Sequence, residues 1–504
     1  MGSFVLFGIF MSVLLIVNTQ DCVPRDFGNG GTVCVCNSTY CDVTPDPILP
    51  ETGNLLRYVS SKNGLRLNLI EEKFSNQSIG DVKLILNRSI MYQTIHGFGG
   101  AFTDSAGINI KNLSAGAQDK LMESYFSTNG SKYSFGRVPI AGTDFSTRSY
   151  TYDDVPGDTT LSKFSLAQED FLYKIPLIQK ALELNSNLRL FASSWTAPPW
   201  MKTNNQYNKF GFLKTDYYQT YVDYLIKFLK EYKKHGLEMW GITTGNEPFN
   251  AFIFSSISNT GWTANTLKKW IAKNLGPTLR ASEFKGTKIM AVEDQRWALP
   301  WFPQKIFRNE IVKNYTDAIA FHWYVDKYIP ASVLDMTHDK FPDKFIIMTE
   351  ACIGSSPFDG AKVLIGSWSR GEEYVSNIIE NLSHWVTGWV DWNLALNEQG
   401  GPNWIENYVD SPIIVNAEND EFYKQPMYYA LAHFSKFIPP NSRRIELTAS
   451  TDVKSLSVTT PNDETVIVLY NKSRRAKTVS ISDPDRGYIN AELPGNSIHT
   501  IIYK

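Results

Sequence analysis

This chain of 504 residues has little excess charge of either sign, few long apolar runs and no closely spaced histidines. The formal net charge is only −2, so the composition gives no indication of nucleic acid or another polyanionic partner. Beyond the N-terminus, no run is long and apolar enough to cross a bilayer. The seven histidines are scattered and lack the spacing of metal ligands, so we predict neither a metal site nor a cofactor.

The one long apolar run lies at the N-terminus, over residues 4–17. At about 14 residues it is too short to span a bilayer, and it has the length of a signal-peptide core. No Lys or Arg precedes it, but Val17, Asn18 and Thr19 form an acceptable cleavage site. We predict a signal peptide over residues 1–20, and the alternative is a buried N-terminal helix.

Cysteine is also rare, and four of the five cysteines cluster directly after this segment. They are Cys22, Cys34, Cys36 and Cys41. Close spacing in an exported chain favours disulfides over zinc, but three pairings are possible and spacing alone selects none of them. Cys352 is left over as a predicted free thiol. Several Asn-X-Ser/Thr sequons indicate export as well. They are at Asn37, Asn76, Asn87, Asn112, Asn129, Asn314, Asn381 and Asn471.

Short apolar runs that end in polar or aromatic residues recur between residues 95 and 395. The eight runs span residues 94–98, 134–140, 188–195, 239–246, 288–292, 318–324, 345–350 and 388–394. Amphipathic, helix-like stretches such as 216–235 and 371–386 separate several of them. Strands that alternate with helices predict parallel βαβ units, and eight repeats fit a (β/α)8 TIM barrel. An open doubly wound sheet is the alternative, but no Gly-rich phosphate-binding turn follows the first run.

The pattern changes after Pro439 and Pro440 to short β-rich runs separated by Asn, Asp, Pro and Gly. The runs cover residues 455–459, 465–470, 478–481 and 498–503, which is typical of an antiparallel sandwich. A segment of about 60 residues needs strands from elsewhere. Residues 54–92 offer them, notably at 64–69 and 82–86. We therefore predict a disulfide-bonded β segment over 21–46, a barrel over 93–440, and a sandwich built from 47–92 and 441–504.

Two glutamates end predicted barrel strands, and the C-terminal strand ends are where barrel active sites lie. Glu247 ends the fourth strand in Thr-Gly-Asn-Glu-Pro, and Glu350 ends the seventh in Met-Thr-Glu-Ala-Cys. These strands are nearly opposite, so the two carboxyl groups are expected to face one cavity. Glycoside cleavage needs one carboxyl group to protonate the leaving oxygen and another to meet the cationic anomeric carbon. In retaining enzymes the two lie about 5–5.5 Å apart.

Two further residues suit the same chemistry. Asn246 is positioned to hold the sugar 2-hydroxyl, and Tyr324, at the end of the sixth predicted strand, to hydrogen-bond the nucleophile and keep it ionised. Each motif alone is weak, because most Asn-Glu-Pro tripeptides are turns that follow a strand. The two glutamates become a more specific pair when they end opposite strands of a predicted barrel.

Long stretches of the chain carry a resemblance to a known family. They are GFGGAFTDSAG, FASSWTAPPWMKTN, NEP, FHWY, TEACIG, GWVDWNLALNEQGGPNWIEN and FYKQPMYYALAHFSKFIPP. The cysteine-rich leader CVPRDFGNGGTVCVCNSTYC and the terminal SIHT run match as well. On these motifs the chain resembles the lysosomal glucosylceramidases (acid β-glucosidases) of glycoside hydrolase family 30, over almost its whole mature length.

The resemblance implies hydrolysis of β-glucosylceramide to glucose and ceramide with retention, with Glu247 as acid/base and Glu350 as nucleophile. It implies glucose contacts at Asp144, Trp195, Asn246 and Trp392. It also implies supporting side chains at Arg137, His322, Tyr324 and Asn407, and disulfides Cys22–Cys34 and Cys36–Cys41. For the two tryptophans the alternative is core packing, and for Arg137 it is a structural ion pair.

Partners and location also follow from the resemblance alone. It implies a lysosomal protein that reaches its substrate at a membrane surface with anionic lipid and with a saposin-like activator. Residues 203–215 and 251–265 depart from the family pattern and are expected to shape the lipid-binding entrance. One rival function is a related β-glycosidase, namely a β-xylosidase, β-fucosidase or β-1,6-glucanase. The other is a non-catalytic glycolipid-binding protein, which the presence of both glutamates disfavours.

Overall fold

The computed structural model describes residues 21–254, 256–356 and 359–504, so the predicted signal peptide lies outside the described residues. Eight parallel strands form a closed barrel, flanked by a β-sandwich from both ends of the chain and by a small disulfide-bonded sheet. This is the fold that the sequence predicts. Within the described ranges, none of the helices is long and apolar enough to cross a membrane.

The elements follow one another in the order that a barrel between two β-rich ends requires. The strands before the barrel are β1 (Pro24–Asp26), β2 (Thr32–Asn37), β3 (Asn54–Ser61), β4 (Asn68–Lys73) and β5 (Val82–Thr94). The barrel strands are β6 (Gly97–Ala101), β7 (Phe135–Ile140), β8 (Arg189–Ser194), β9 (Met239–Thr243), β10 (Lys288–Gln295), β11 (Ala318–His322), β12 (Phe345–Glu350) and β13 (Val386–Asn393). After them come β14 (Leu396–Asn397), β15 (Ile413–Asn416), β16 (Glu421–Lys424), β17 (Arg443–Leu447), β18 (Lys454–Thr459), β19 (Thr465–Asn471), β20 (Lys477–Asp483), β21 (Gly487–Leu493) and β22 (Ser497–Tyr503).

Helices lie between the barrel strands and around them. They are α1 (Asp104–Lys111), α2 (Ala115–Phe126), α3 (Ile175–Leu184), α4 (Tyr218–Lys234), α5 (Asn250–Ile253), α6 (Ala264–Trp270), α7 (Gly276–Ala281), α8 (Trp301–Ile306), α9 (Glu310–Tyr315), α10 (Ser332–Lys340), α11 (Trp368–Ser383) and α12 (Pro426–Ser435). A π-helical segment at Asp170–Lys174 leads into α3, and another at Ile271–Leu275 joins α6 to α7.

Every barrel strand pairs in parallel with its neighbours, and β13 closes the ring on β6. Side chains of alternate residues point into the barrel, because successive residues of a strand face opposite sides. Phe135, Phe191, Met290 and Ile347 pack together inside it. The opposite faces of the strands, such as Ile346 in β12, pack against the surrounding helices. The residues beyond this filled interior, at the C-terminal strand ends, are therefore free to form a cavity.

The first barrel strand begins three residues later than the sequence predicts, at Gly97 instead of residue 94. Its Gly-Phe-Gly-Gly-Ala sequence has low β-propensity, which explains the misplacement. The glycines are required by close packing. A Cβ on Gly97 would lie 2.1 Å from Ser134 Oγ, and one on Gly99 would lie 1.9 Å from the Phe135 carbonyl oxygen. Contacts of this kind involve strands that are distant in sequence, so local propensity does not show them.

Two β-bulges change the direction of side chains at the C-terminal ends of the barrel strands. The register between β11 and β12 runs from Phe321–Met348 to His322–Glu350, so Thr349 is skipped. Simple alternation after the inward Ile347 would direct residue 350 outward, and the bulge brings Glu350 level with His322 instead. The register between β10 and β11 likewise skips Glu293, which has a positive φ of 44°.

The sandwich sheet has the strand order β21-β20-β5-β17-β18-β19-β22-β3-β4. Its pairings are antiparallel except for the parallel pair β5–β20. Ile501 on β22 packs in the sandwich interior, whereas Ile498 and Ile502 on the same strand pack in the main hydrophobic core, which includes the helices around the barrel. Both faces of this strand are therefore covered, which explains why all of its residues are buried.

The strand predicted over residues 64–69 is wrong. Gly64 and Leu67 have φ values of 104° and 50°, so this stretch turns back, and β4 begins only at Asn68. Extended backbone does not tolerate two such residues, and the apolar alternation of Leu65 and Leu67 was misleading for that reason. The structure also contains β21, which the sequence pattern did not predict.

The N-terminal sheet has the order β1-β2-β16-β15-β14 and carries both disulfides, Cys22–Cys34 and Cys36–Cys41. These are the pairs that the family resemblance implies. Pairing of β2 with β16 joins this segment to the chain that follows the barrel. Cys352 is a buried free thiol, as predicted.

Two of the predicted glycosylation sites need correction. Asn381 and Asn471 are 0% exposed, and their amide nitrogens donate hydrogen bonds inside the protein. Asn381 Nδ2 donates to Asn377 Oδ1 at 2.7 Å, and Asn471 Nδ2 donates to the carbonyl of Leu493 at 2.9 Å. A glycan on either nitrogen would require both the packing and these hydrogen bonds to be broken. The other six sequons are partly or fully exposed and stay predictions.

Candidate active site

A cavity of about 450 Å³ opens at the C-terminal ends of the barrel strands. The predicted residues that line it are Asp144, Trp195, Asn246, Glu247, Tyr324, Glu350, Trp392 and Asn407. Arg137 and His322 are fully buried beneath it and hydrogen-bond to side chains that line it. The fold therefore brings together every residue predicted to act in catalysis, in substrate binding or in support of either.

Glu247 follows β9 in a tight turn, where its φ is +41°. Its Oε2 accepts a hydrogen bond from Asn250 Nδ2 at 2.5 Å, and its Oε1 accepts one from Gln295 Nε2 at 2.6 Å. His322 Nδ1 lies 2.8 Å from the same Oε1. The backbone N–H of Glu247 donates to the carbonyl of Glu293 at 2.9 Å. These contacts hold a strained backbone conformation in place and fix the direction of the carboxyl group.

Glu350 is the last residue of β12 and is held by donors on both of its oxygens. Tyr324 donates its hydroxyl to Oε1 at 2.6 Å, and the guanidinium of Arg137 donates to Oε2. Burial, together with the nearby charge of Glu350, raises the pKa of Tyr324 well above its usual value, so this hydroxyl keeps the proton that it donates.

The two glutamates lie close to each other across the cavity. One oxygen from each carboxyl group and one ring nitrogen of His322 all lie within 4.8 Å of one another. Carboxyl groups in inverting glycosidases stand about 6.5–9.5 Å apart, because a water molecule must fit between one of them and the sugar. Those of retaining enzymes stand about 5–5.5 Å apart. The nearest oxygens of Glu247 and Glu350 are close enough for both carboxyl groups to reach one glycosidic bond.

Arg137 on β7 forms the charged floor of the site. Besides Glu350 it donates to Asn246 Oδ1 at 2.7 Å and to Glu293 Oε1 at 2.8 Å. Burial disfavours charge on Glu293, but the charges of Arg137 and His322 and a hydrogen bond from Ser193 together outweigh burial, and the pKa of Glu293 falls to about 2. The buried guanidinium thus faces one fully ionised partner in addition to Glu350. The ion pair of Arg137 with Glu293 is the structural role that the sequence analysis gave as the alternative. Arg137 also orients two residues that line the cavity, Asn246 and Glu350.

His322 ends β11 and lies between three carboxyl groups. Burial disfavours its charged form, but the charges of Glu350 and Glu247 and the hydrogen bond to Glu247 outweigh burial and raise its pKa to about 10. The ring is therefore an imidazolium at neutral and acid pH, and it donates to Glu247. A protonated imidazole has no lone pair for a metal ion. The cluster of Glu247, His322 and Glu350 has metal-like spacing, but its chemistry is that of a hydrogen-bonded carboxyl pair.

One wall of the cavity combines two tryptophans with an aspartate. Trp195 and Trp392 stack with ring centroids 5.1 Å apart at an angle of 21°, and the Arg137 guanidinium lies over both rings. Asp144 Oδ2 accepts hydrogen bonds from Asn407 Nδ2 at 3.1 Å and from Asn403 Nδ2 at 3.2 Å. Burial raises the pKa of Asp144 to about 7. Apolar ring faces beside a polar group that can bind hydroxyls suit a sugar ring.

Several residues of the site were not predicted from the sequence. They are Ser193, Asn250, Glu293, Asp294, Gln295 and Asn403. Glu293 carries the signal that identified the other two glutamates, an acidic residue at the end of a barrel strand. It was overlooked because the fifth strand was predicted to end at residue 292, whereas β10 continues through the bulge to Gln295.

A closed barrel with two close carboxyl groups at the ends of its fourth and seventh strands defines a barrel-type glycoside hydrolase. Comparison with family models agrees. Residues 95–438 match the glycosyl hydrolase family 30 TIM-barrel domain, and residues 441–501 match the glycosyl hydrolase family 30 beta sandwich domain. The chain therefore belongs to glycosyl hydrolase family 30, which confirms the resemblance seen in the sequence.

Similar proteins cover nearly the whole chain. Lysosomal acid glucosylceramidase from Mus musculus is 43% identical over 511 aligned positions, which cover 99% of this chain and 98% of the mouse protein. Putative glucosylceramidase 4 from Caenorhabditis elegans is also 43% identical, and the alignment covers 94% of this chain and 93% of the nematode protein. The crystal structure of SrfJ from Salmonella typhimurium has a TM-score of 0.84 at 26% identity, with 90% of this chain and 99% of SrfJ covered.

Proposed function

We propose that this protein is a retaining β-glucosidase that hydrolyses glucosylceramide to glucose and ceramide through a covalent glucosyl-enzyme intermediate. The observation that carries the proposal is the pair of carboxyl groups, Glu247 and Glu350, whose oxygens lie within 4.8 Å across the cavity. Similarity to glucosylceramidases along almost the whole chain supports the choice of substrate.

Glu350 acts as the nucleophile in this proposal. Its carboxylate attacks the anomeric carbon, the bond from that carbon to the glycosidic oxygen breaks, and a glucosyl ester forms. Tyr324 and Arg137 each donate a hydrogen bond to the resting carboxylate and hold it in position for this attack. Arg137 also holds Asn246, whose amide suits the sugar 2-hydroxyl, so one cation aligns both contacts.

Glu247 acts as the acid and then as the base. It first gives its proton to the leaving oxygen, so that ceramide departs as a neutral alcohol. It then takes a proton from the water that cleaves the glucosyl ester. Asn250, Gln295 and His322 fix its carboxyl group from three sides. Asp144 binds a sugar hydroxyl, and Trp195 and Trp392 cover the sugar face; these three contacts also stay proposals.

Exposed aromatic residues beside the cavity support a lipid substrate. The rim patch consists of Phe210, Phe252, Ile253 and Phe254, whose side chains are 48–60% exposed. Phe210 and Phe252 contact each other edge to face at 5.5 Å, and Ile253 and Phe254 also line the cavity. A contiguous apolar patch at a pocket mouth suits a surface that meets lipid. We propose that it contacts a membrane containing anionic lipid, in the lysosome; the saposin-like activator rests on the family resemblance.

A substrate panel tests the proposed function. The purified protein is assayed with aryl β-glucoside, β-xyloside, β-fucoside and β-galactoside, with β-1,6-glucan, and with glucosylceramide in detergent. The proposal predicts the highest kcat/KM among the aryl glycosides for the glucoside, and release of ceramide from the lipid. Preference for the xyloside, the fucoside or β-1,6-glucan would show that the protein has one of the rival activities instead. Binding of glucosylceramide without turnover would support the non-catalytic alternative.

We predict that substitutions in the rim patch weaken membrane binding but leave the hydrolysis of a soluble glucoside unchanged. The double variant Phe210→Ser, Phe252→Ser should keep its kcat/KM for an aryl β-glucoside within about twofold. Its binding to phosphatidylserine vesicles should fall about tenfold or more, because each aromatic side chain contributes roughly 1.5–3 kcal/mol when buried in an apolar environment. Co-sedimentation measures the binding. Phe171→Ser is the matched control, since Phe171 is 49% exposed on the segment before α3. Equal binding by both variants would refute a lipid contact at the rim.

Asp294 predicts a change in the pH dependence. It lies beside Glu247, accepts the backbone N–H of Phe249 at 2.9 Å, and lines the cavity. Burial and the charge of Glu247 raise the pKa of Asp294 to about 7. Asp294 therefore keeps its proton until about pH 7, and we expect this proton to be available to the acid/base glutamate beside it. The Asp294→Asn variant lacks this second carboxyl group. When the pH is raised, the variant should therefore lose activity at a lower pH than the wild-type protein does.

We expect the basic limb of the kcat/KM profile of Asp294→Asn to move to lower pH by about one unit, which is a tenfold change in proton affinity. An aryl β-glucoside with a poor leaving group, assayed between pH 4 and 8, measures the shift. A dinitrophenyl glucoside is the control, because its leaving group needs no proton and its profile should not move. An unchanged limb, or the same shift with both substrates, would contradict a role for Asp294 in holding the proton.

A further inference from the structure

Lys202 is a buried lysine whose amine has no role in the proposed chemistry. It follows the 3₁₀ turn Pro199–Met201 after β8, and its side chain is 0% exposed. Its Nζ lies within hydrogen-bond distance of four oxygen atoms. They are Thr196 Oγ1 at 3.1 Å and the carbonyls of Gln206 at 2.8 Å, Tyr207 at 3.0 Å and Asn259 at 2.5 Å. No carboxylate of the described residues pairs with this amine.

The four oxygens come from three separate segments around the cavity mouth. Thr196 directly follows Trp195 of the cavity wall. Gln206 and Tyr207 belong to the loop that carries Phe210, and Asn259 belongs to the segment that follows α5. A buried amine without a counter-ion is costly unless it is fully hydrogen-bonded. This arrangement therefore indicates that the three segments are held together around a single cation.

The same loops are linked around Lys202 by weaker ties. The N–H of Asn259 donates to the carbonyl of Tyr207 at 3.0 Å, and the N–H of Gly261 donates to that of Gly211 at 2.9 Å. Asn208 Nδ2 donates to the carbonyl of Ser256 at 3.1 Å. Each of these joins two segments only. The amine of Lys202 contacts all three segments.

The loops that Lys202 joins carry the rim patch and part of the cavity lining. Phe210 belongs to the first loop, and Phe252, Ile253 and Phe254 belong to α5 and the residue after it. Ile257, close to Asn259, also lines the cavity. These apolar side chains lie on the side where the lipid part of a glucosylceramide would leave the sugar pocket. Glu350 and its partners, in contrast, are held by strand ends that Lys202 does not touch.

We propose that Lys202 is a positioning residue for the aglycone: its ammonium holds the two rim loops in the conformation that accepts the lipid part of the substrate. This inference rests on the proposed function, and it concerns the lipid entrance of that site. Burial lowers the pKa of Lys202 to about 7. In an acid compartment the amine is therefore charged and offers three N–H donors to the four oxygens.

The test compares two substrates in one variant. Lys202→Met keeps the length of the side chain and removes the donors. With an aryl β-glucoside, which needs only the sugar pocket, we expect kcat/KM within about threefold of wild type. With glucosylceramide in phosphatidylserine vesicles we expect KM to rise about tenfold or more, because disordered loops must be ordered again on binding. Thr196→Val, which removes one acceptor of four, should change KM in the same direction by less.

Amide hydrogen exchange supplies a readout that does not depend on activity. In Lys202→Met, the amides of residues 203–213 and 256–261 should exchange about tenfold faster or more, while those of β8 and β9 stay unchanged. Lys209→Met is the matched control, because Lys209 is an exposed lysine in the same loop. It should leave both the exchange and the KM as in wild type. Covalent labelling of Glu350 counts the folded active sites in every sample.

Two results would overturn the inference. Equal losses with both substrates would show that Lys202 supports the whole pocket, and unchanged exchange of both loops would show that it holds neither of them. Failure of the proposed function is a different result. Wild-type protein would then lack both aryl β-glucosidase activity and labelling of Glu350, and the exchange measurement would still decide whether Lys202 fixes the loops.

Discussion

Replacement of Glu350 by Gln is expected to lower kcat/KM for aryl β-glucosides about 10⁴-fold or more, which corresponds to about 5 kcal/mol of transition-state stabilisation. Gln keeps the size of the side chain but cannot form the glucosyl ester, so the covalent route is lost. Folding should be retained, because Arg137 keeps its ion pair with the fully buried Glu293 at 2.8 Å. Steady-state kinetics and a thermal melt on the same preparation measure both effects.

Azide distinguishes the nucleophile from the acid/base. In Glu350→Gly the space left by the carboxylate admits azide, which attacks from the side that the nucleophile occupied, and the product should be α-glucosyl azide. Glu238→Gln is the control, because Glu238 is 74% exposed just before β9, at the opposite end of the barrel. It should have wild-type activity. Formation of β-glucosyl azide by Glu350→Gly would mean that the two roles are reversed.

Replacement of Glu247 by Gln is expected to produce a loss that depends on the leaving group. With a poor leaving group, kcat/KM should fall about 10²–10⁴-fold, the usual contribution of general acid catalysis. With a dinitrophenyl leaving group the first step needs no proton, so kcat/KM should stay near the wild-type value. The hydrolysis of the glucosyl ester has lost its base, and the intermediate should therefore accumulate on Glu350. Stopped-flow bursts and intact-protein mass spectrometry detect it.

The pH dependence of Glu247→Gln checks the same assignment. The basic limb that reflects loss of the acid proton should disappear from the kcat/KM profile. Azide should accelerate turnover of the dinitrophenyl substrate and give β-glucosyl azide, because Glu350 still forms the intermediate on the other face. Equal losses with both leaving groups, without accumulation of an intermediate, would contradict a role for Glu247 as acid/base.

Much of this site could be predicted from the sequence, because barrel topology converts strand ends into neighbours. Glu247 and Glu350 are separated by more than a hundred residues, yet each ends a recognisable β-rich run, and the fold places both at one cavity. Family motifs supplied Asp144, Trp195 and Trp392, which no local pattern distinguishes from loop or core residues. The whole barrel was identifiable for the same reason, since eight apolar runs alternate with amphipathic stretches.

The remaining features depend on contacts that a linear pattern does not contain. The bulges at Glu293 and Thr349 shift the register of β10 and β12. For the residues beyond each bulge, the regular alternation of inward and outward side chains therefore predicts the wrong face of the strand. The glycine-rich first strand is extended only because Ser134 and Phe135 approach it closely. Asn381 has an intact sequon, but the helix α11 buries it. In each case tertiary packing overrides a local preference.

The mechanism is tested most directly by covalent labelling of the nucleophile. The protein is incubated with a gluco-configured cyclitol epoxide, digested, and searched by peptide mass spectrometry for the adduct. Our account predicts one adduct, on Glu350, with loss of aryl β-glucosidase activity in proportion to labelling. Folded protein with an unmodified Glu350 and full activity, or an adduct on Glu247 instead, would contradict it.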